Sequence, residues 1–128
     1  MEEHTTAGAP TPHDIHELIA AQRQQQADKE AGGIPALRRL VEVAQKNSGQ
    51  SRHIRRFLLG LYNAHAWPFE LNRLRNLDAS LQADALAVLQ MDMTARREVH
   101  LYIEDGDGLW REWWYREEAF DADNETEG

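Results

Sequence analysis

The chain has 128 residues, enough for one domain and too few for two ordinary ones. Acids outnumber lysine plus arginine by 22 to 14, for a net charge of −8. Cysteine is absent, which excludes a disulfide framework, a thiol nucleophile, an iron–sulfur cluster and a thiolate zinc site. No apolar run approaches the roughly 18 residues of a membrane span, and residues 1–12 lack the pattern of a cleavable secretory signal.

Charge is spread unevenly. Residues 1–33 hold six acids against two bases (net −4), and residues 34–89 hold eight bases against four acids (net +4). Residues 90–128 hold twelve acids against four arginines (net −8). The acidic total thus comes from the two ends and conceals a basic middle.

Residues 1–12 are polar, with Gly8, Pro10 and Pro12, and bury too little to offset their ordering entropy, so disorder is expected there. A helix is expected over residues 13–31, with Ile15, Leu18 and Ile19 as its apolar stripe. Arg23-Gln24-Gln25-Gln26 gives it nothing further to bury, so it should dock weakly. Gly32-Gly33 should end it and act as a hinge.

A compact domain is expected over residues 34–120. Pro35 suits a first helical position, and Leu37, Leu40, Val41 and Ala44 recur at helix spacing. Asn47-Ser48-Gly49-Gln50 reads as a turn, with Ser51 capping a second helix over about residues 52–64. Ile54, Phe57, Leu58, Leu61 and Tyr62 form its expected buried stripe, and Arg52, Arg55 and Arg56 fall on or beside its exposed face.

Trp67-Pro68-Phe69 interrupts the helical pattern and reads as a loop capping the core. Leu71, Leu74 and Leu77 anchor a short helical stretch. Asp78 should cap a third helix over residues 79–91, with Leu81, Ala85, Leu86, Val88 and Leu89 as its apolar surface. Thr94 is placed to cap a fourth, carrying Val99, Tyr102 and Ile103; a short strand over residues 97–103 is the alternative. After the turn Glu104-Asp105-Gly106-Asp107-Gly108, a last helix carries Leu109, Trp110, Trp113 and Trp114. Residues 121–128 read as an acidic tail that stays solvated and disordered. The fold class is therefore all-α: a small bundle of about five helices with a flexible N-terminal extension and an acidic C-terminal tail.

Catalytic motifs are missing. Neither a G-x-S-x-G elbow nor a glycine-rich phosphate loop occurs. Aligning Asp105-Gly106-Asp107-Gly108 on a calcium loop puts Ile103 at the first ligand position, so a turn and helix cap fit better. His13 and His16 share a helix face but lack further ligands. Arg96 and His100 stand one residue too close for the arginine–histidine pair of some helical ribonucleases. No enzyme activity, metal or cofactor is expected.

Two surfaces stand out. The helix ending near Lys46, its turn and Ser51-Arg-His-Ile-Arg-Arg56 have the outline of a helix-turn-helix, with Gln50, Arg52, Arg55 and Arg56 placed for nucleic acid. Against this, the small-residue, glycine and aliphatic spacing is off by a residue or more, and the arginines can instead pair with the acidic tail. The other surface is aromatic. Trp110, Trp113 and Trp114 share a face, Tyr115 turns away from it, and Arg111 flanks the rings. Such a cluster serves either as core or as a hot spot for a partner.

Several segments carry a family resemblance. They are Ile34-Pro-Ala-Leu-Arg-Arg-Leu-Val-Glu-Val-Ala-Gln45, Ser48-Gly-Gln-Ser-Arg52, Arg56-Phe-Leu-Leu-Gly-Leu-Tyr-Asn63 and Pro68-Phe69. Ala87-Val-Leu-Gln-Met-Asp92 and Glu98-Val-His-Leu-Tyr-Ile103 continue the series. Over roughly residues 32–114 the chain resembles a domain-of-unknown-function family of small proteins encoded on proteobacterial plasmids and integrative conjugative elements. The resemblance implies a cytoplasmic bacterial protein from a mobile-element setting. It implies no activity and transfers no site residue.

The expected function is thus a non-catalytic helical accessory protein that binds another protein, or a second copy of itself, through Trp110, Arg111, Trp113 and Trp114. A nucleic-acid-binding regulator using Gln50, Arg52, Arg55 and Arg56 is one alternative. An acidic DNA mimic acting against host defence is another.

Overall fold

The computed structural model describes residues 11–127, with side chains to residue 124. In chain order these form α1 (Pro12–Ala44), α2 (Gly49–Tyr62), a 3₁₀ segment (Leu71–Asn76), α3 (Ala79–Met93), a second 3₁₀ segment (Val99–Tyr102) and α4 (Gly106–Glu127). The described residues contain no strand, so Val99–Tyr102 resolves as a 3₁₀ turn instead of either expected form. Thr94 closes α3 and starts no helix.

Helix α1 begins earlier than expected. Thr11 accepts the Asp14 backbone N–H at 3.1 Å, and the Asp14 carboxylate accepts the Thr11 N–H at 3.3 Å. This reciprocal cap satisfies two donors that a helix start leaves open, and Pro12 fills a first-turn position whose N–H has no helical partner anyway. The rest of the expected disordered segment, residues 1–10, lies outside the described residues.

The expected hinge is absent: α1 runs through Gly32-Gly33 and Pro35 as one helix of 33 residues. Gly33 is small for a packing reason. A Cβ there would stand 2.7 Å from both Cβ and Sδ of Met91, so α3 presses against the bare backbone of α1. Gly32 faces open space. The α1 segment before Gly33 holds on mainly through polar groups. The Thr94 hydroxyl donates to Gln26 Oε1 at 2.6 Å, Lys29 Nζ donates to Thr94 Oγ1 at 3.4 Å, and the Tyr102 hydroxyl donates to Glu30 at 3.0 Å. Burial, then the Glu30 contact, holds the Tyr102 phenol above its ordinary range. Ile15, Leu18 and Ile19 remain exposed.

The core lies where α1, α2 and α3 converge and α4 closes over them. Leu37, Leu40, Ile54, Leu58, Val88, Met91 and Trp113 are fully buried within it. Arg39 clamps α1 to α3 with two bonds to Asp84, at 3.0 and 2.8 Å. Trp67 is buried and Phe69 meets Phe57 edge-on, 5.4 Å between centroids, so the Trp-Pro-Phe loop caps the core. Leu86 and Tyr62, expected inside, reach solvent.

Helix α2 also starts a turn early. Ser48, not Ser51, is the cap, and the two serines exchange backbone-to-hydroxyl bonds of 3.1 and 3.3 Å. Asp78 precedes α3, but its carboxylate caps no helix N–H. Gln50 holds it instead, accepting the Asp78 N–H at 2.6 Å and donating to its carboxylate at 3.1 Å.

Helix α4 extends to Glu127, so most of the expected loose tail is helical. Asp105 takes the left-handed turn before it (φ 58°). Gly106 is required at the next position, because any Cβ would collide with the His100 carbonyl.

Candidate functional site

The two surfaces singled out in the sequence face one another. Trp110 and Trp113 point from α4 into the bundle and are 2% and 0% exposed, so neither stands out as a surface ring. A helix this rich in rings hides the pair that faces the core, because burying indole surface outweighs any gain from leaving it wet. The Trp110 indole N–H donates to the Leu58 carbonyl at 3.1 Å, which ties α4 to α2. Trp114 is half-buried, edge-on to Trp67 at 5.5 Å. Of the four expected partner residues, only Arg111 is exposed.

One turn past Trp113, Glu117 lies in the interior at 1% exposure, together with Arg55 at 4%. Arg55 Nε donates to Glu117 Oε2 at 2.9 Å, and its Nη1 donates to the carbonyls of Ala44 and Lys46 at 2.7 and 2.8 Å. It therefore serves the open carbonyls at the end of α1 as well as the buried acid. Arg56 Nε donates to Glu117 Oε1 at 2.7 Å and its Nη2 to Asp121 at 2.5 Å. Arg52 Nε comes within 3.3 Å of Glu117 Oε1 without hydrogen-bond alignment, and its guanidinium lies over the Phe120 ring at 3.6 Å.

Burial pushes the Arg52 guanidinium down, only partly countered by Glu117. For Arg56, burial works the same way, but the bonds to Asp121 and Glu117 prevail and hold it up. The residues expected to bind nucleic acid are thus already engaged: Arg52, Arg55 and Arg56 with α4, and Gln50 with Asp78. Arg55, expected on or beside an exposed face, is interior because Glu117 follows it there. Beside them, the Arg73 guanidinium lies 3.1 Å from His53 Nδ1. Burial, then Arg73 and Arg52, lowers the His53 imidazole below its ordinary 6.5.

Beside this seam opens a pocket of about 170 Å³. Its walls are Tyr62, His100, Trp110 and Trp114, with Asp107, Arg111 and Tyr115 also lining it. Tyr62 meets the buried His100 ring edge-on at 4.9 Å, and His100 Nε2 lies 3.0 Å from an Asp107 carboxylate oxygen. Tyr115 is 64% exposed. The arrangement offers ring faces for an apolar group and one charge of each sign beside them.

Tyr62, His100, Asp107 and Tyr115 are not expected from the sequence as site residues. They come from α2, the second 3₁₀ segment and α4, so no single stretch carries the pattern. The nearest signal is the excess of rings in Trp110–Tyr115, more than one face can bury.

No group of three or more potential ligands fit to hold a metal ion occurs among the described residues. No described helix is long and apolar enough to cross a membrane. Fold and site define a small all-α bundle with an aromatic surface pocket at its last helix. Residues 34–118 match the sequence model of DUF7673, a family of unknown function, and the chain belongs to that family. Neither the curated proteins nor the solved structures gave a match to it.

Proposed function

We propose that the protein is a non-catalytic, cytoplasmic accessory factor of a bacterial mobile element that acts by binding another protein at the aromatic pocket. The observation that supports this is the pocket itself: ring-walled, on the surface, with Tyr115 and Arg111 exposed beside it. The occupant is an apolar anchor side chain of the partner, with a neighbouring carboxylate for Arg111, which has no carboxylate of its own among the described residues. Exposed aromatics with a flanking arginine dominate binding energy at such surfaces.

The test is capture from the native host with the full chain, Tyr115→Ala and Arg111→Glu, each after nuclease treatment. A protein retained by the natural chain and lost with both variants, at unchanged melting temperature, supports the pocket. Retention by both variants, or loss on nuclease treatment alone, would overturn it.

The acidic-mimic reading gains one observation. Glu112, Glu118 and Asp123 are exposed on a helix instead of a loose tail. Arg111 and Arg116 interrupt that acidic surface, so the pocket is the better supported site.

A further inference from the structure

A second cleft, of about 440 Å³, separates the N-terminal half of α1 from the end of α3. Arg23, Gln26 and Lys29 line it from α1, and Thr94 and Arg96 line it from the other side. No carboxylate lines it. Elsewhere Arg39, Arg52, Arg55, Arg56 and Arg73 each have a carboxylate partner. Among the described residues, no ion pair engages Arg23, Lys29 or Arg96, and Lys29 has only its 3.4 Å bond to Thr94.

Gln26 supplies an independent sign. It is 6% exposed, and its Oε1 accepts the Thr94 hydroxyl at 2.6 Å. Its Nε2 is left buried without an acceptor. A buried N–H with no partner is costly, and here it sits beside three unpaired cations. The cleft is thus rich in donors and short of acceptors.

We infer that this cleft is an oxyanion site for a small phosphorylated or pyrophosphorylated molecule. Phosphate oxygens supply the missing acceptors, and guanidinium and ammonium groups are the side chains that bind them best. The cations come from two elements facing across a concavity, which suits a compact ligand better than a strand of nucleic acid. Arg23, Gln26 and Lys29 precede the family match at residues 34–118, so the site depends on this chain's N-terminal segment. It shares no residue with the aromatic pocket and stands or falls separately.

The test is calorimetric titration of the full chain with inorganic pyrophosphate at ionic strength fixed with sodium chloride. Saturable binding is expected. Arg96→Gln and Lys29→Gln should each weaken it about tenfold, as loss of one charge-assisted bond does. Arg75→Gln removes an equal charge from an exposed position outside the cleft and should leave binding unchanged. Circular dichroism checks that each variant stays helical. Absence of saturable heat, equal weakening by Arg75→Gln, or indifference to both cleft variants would overturn the site. So would tighter binding of a short single-stranded DNA through the same residues.

Discussion

In the seam between α2 and α4, three arginines converge on one interior carboxylate, and Arg55 carries two further bonds to backbone carbonyls. Along the first two-thirds of α1, Arg23 and Lys29 face a cleft that offers them no acid at all. The seam is deep enough that an unmatched charge would be ruinous, so its polar groups are settled within the fold. The α1 segment lies at the edge, where water can solvate what the protein leaves unpaired. Interior charge therefore reports on folding, and edge charge left open is available to something that binds.

Each side of that contrast can be broken by substitution. Glu117→Ala should have the largest effect, destabilising by about 3–5 kcal/mol in denaturant unfolding because it strands the buried Arg55. Replacing Arg55 and Glu117 together with apolar residues should recover only part of that loss, because the Ala44 and Lys46 carbonyls and Arg56 then lose a partner. Trp113→Ala should cost about as much, roughly 3–5 kcal/mol, by opening a cavity at a fully buried position.

The paired glycines sharpen the comparison on the α1 side. Gly33→Ala should destabilise by about 1–3 kcal/mol, because its Cβ meets Met91. Gly32→Ala should instead stabilise by about 0.5–1 kcal/mol, since it faces open space in a helix. Equal effects at the two positions would restore the hinge.

The smallest effect concerns pH. His53 has a folded-state value below its ordinary 6.5, so between the two values the unfolded chain binds more protons. Stability should fall as pH drops through that window and be fully present above it. Comparing urea midpoints of the natural chain and His53→Gln across this range should show a flatter profile for the variant.

The helical class and much of the core are legible in local spacing. Leu37, Leu40, Val41 and Ala44 are all buried as their period implies, as are Ile54, Phe57 and Leu58. The misreadings share a cause, which is that local pattern does not reveal what approaches from elsewhere in the chain. A glycine pair signals a turn equally well when one member is small only because Met91 needs the room. Acids near the C-terminus look solvated until Glu117 and Asp121 are seen against Arg55 and Arg56, 62 and 65 residues away. The aromatic surplus around Trp113 was visible, but which rings lie inside depends on where α4 meets α2. The pocket, assembled from three separated elements, left only that surplus as a trace.

The placement of the indoles has a practical outcome for spectroscopy. All four tryptophans, Trp67, Trp110, Trp113 and Trp114, belong to the core or pack against it where α4 closes the bundle. Emission from selectively excited indole will register that closure alone and stay silent about the far end of the longest helix. Far-ultraviolet ellipticity, in contrast, weighs every helical peptide. Should ellipticity fall before the emission changes on heating, the molecule unravels from its N-terminal side first; should the two coincide, the polar latch of Gln26 on Thr94 and Glu30 on Tyr102 is cooperative with the interior.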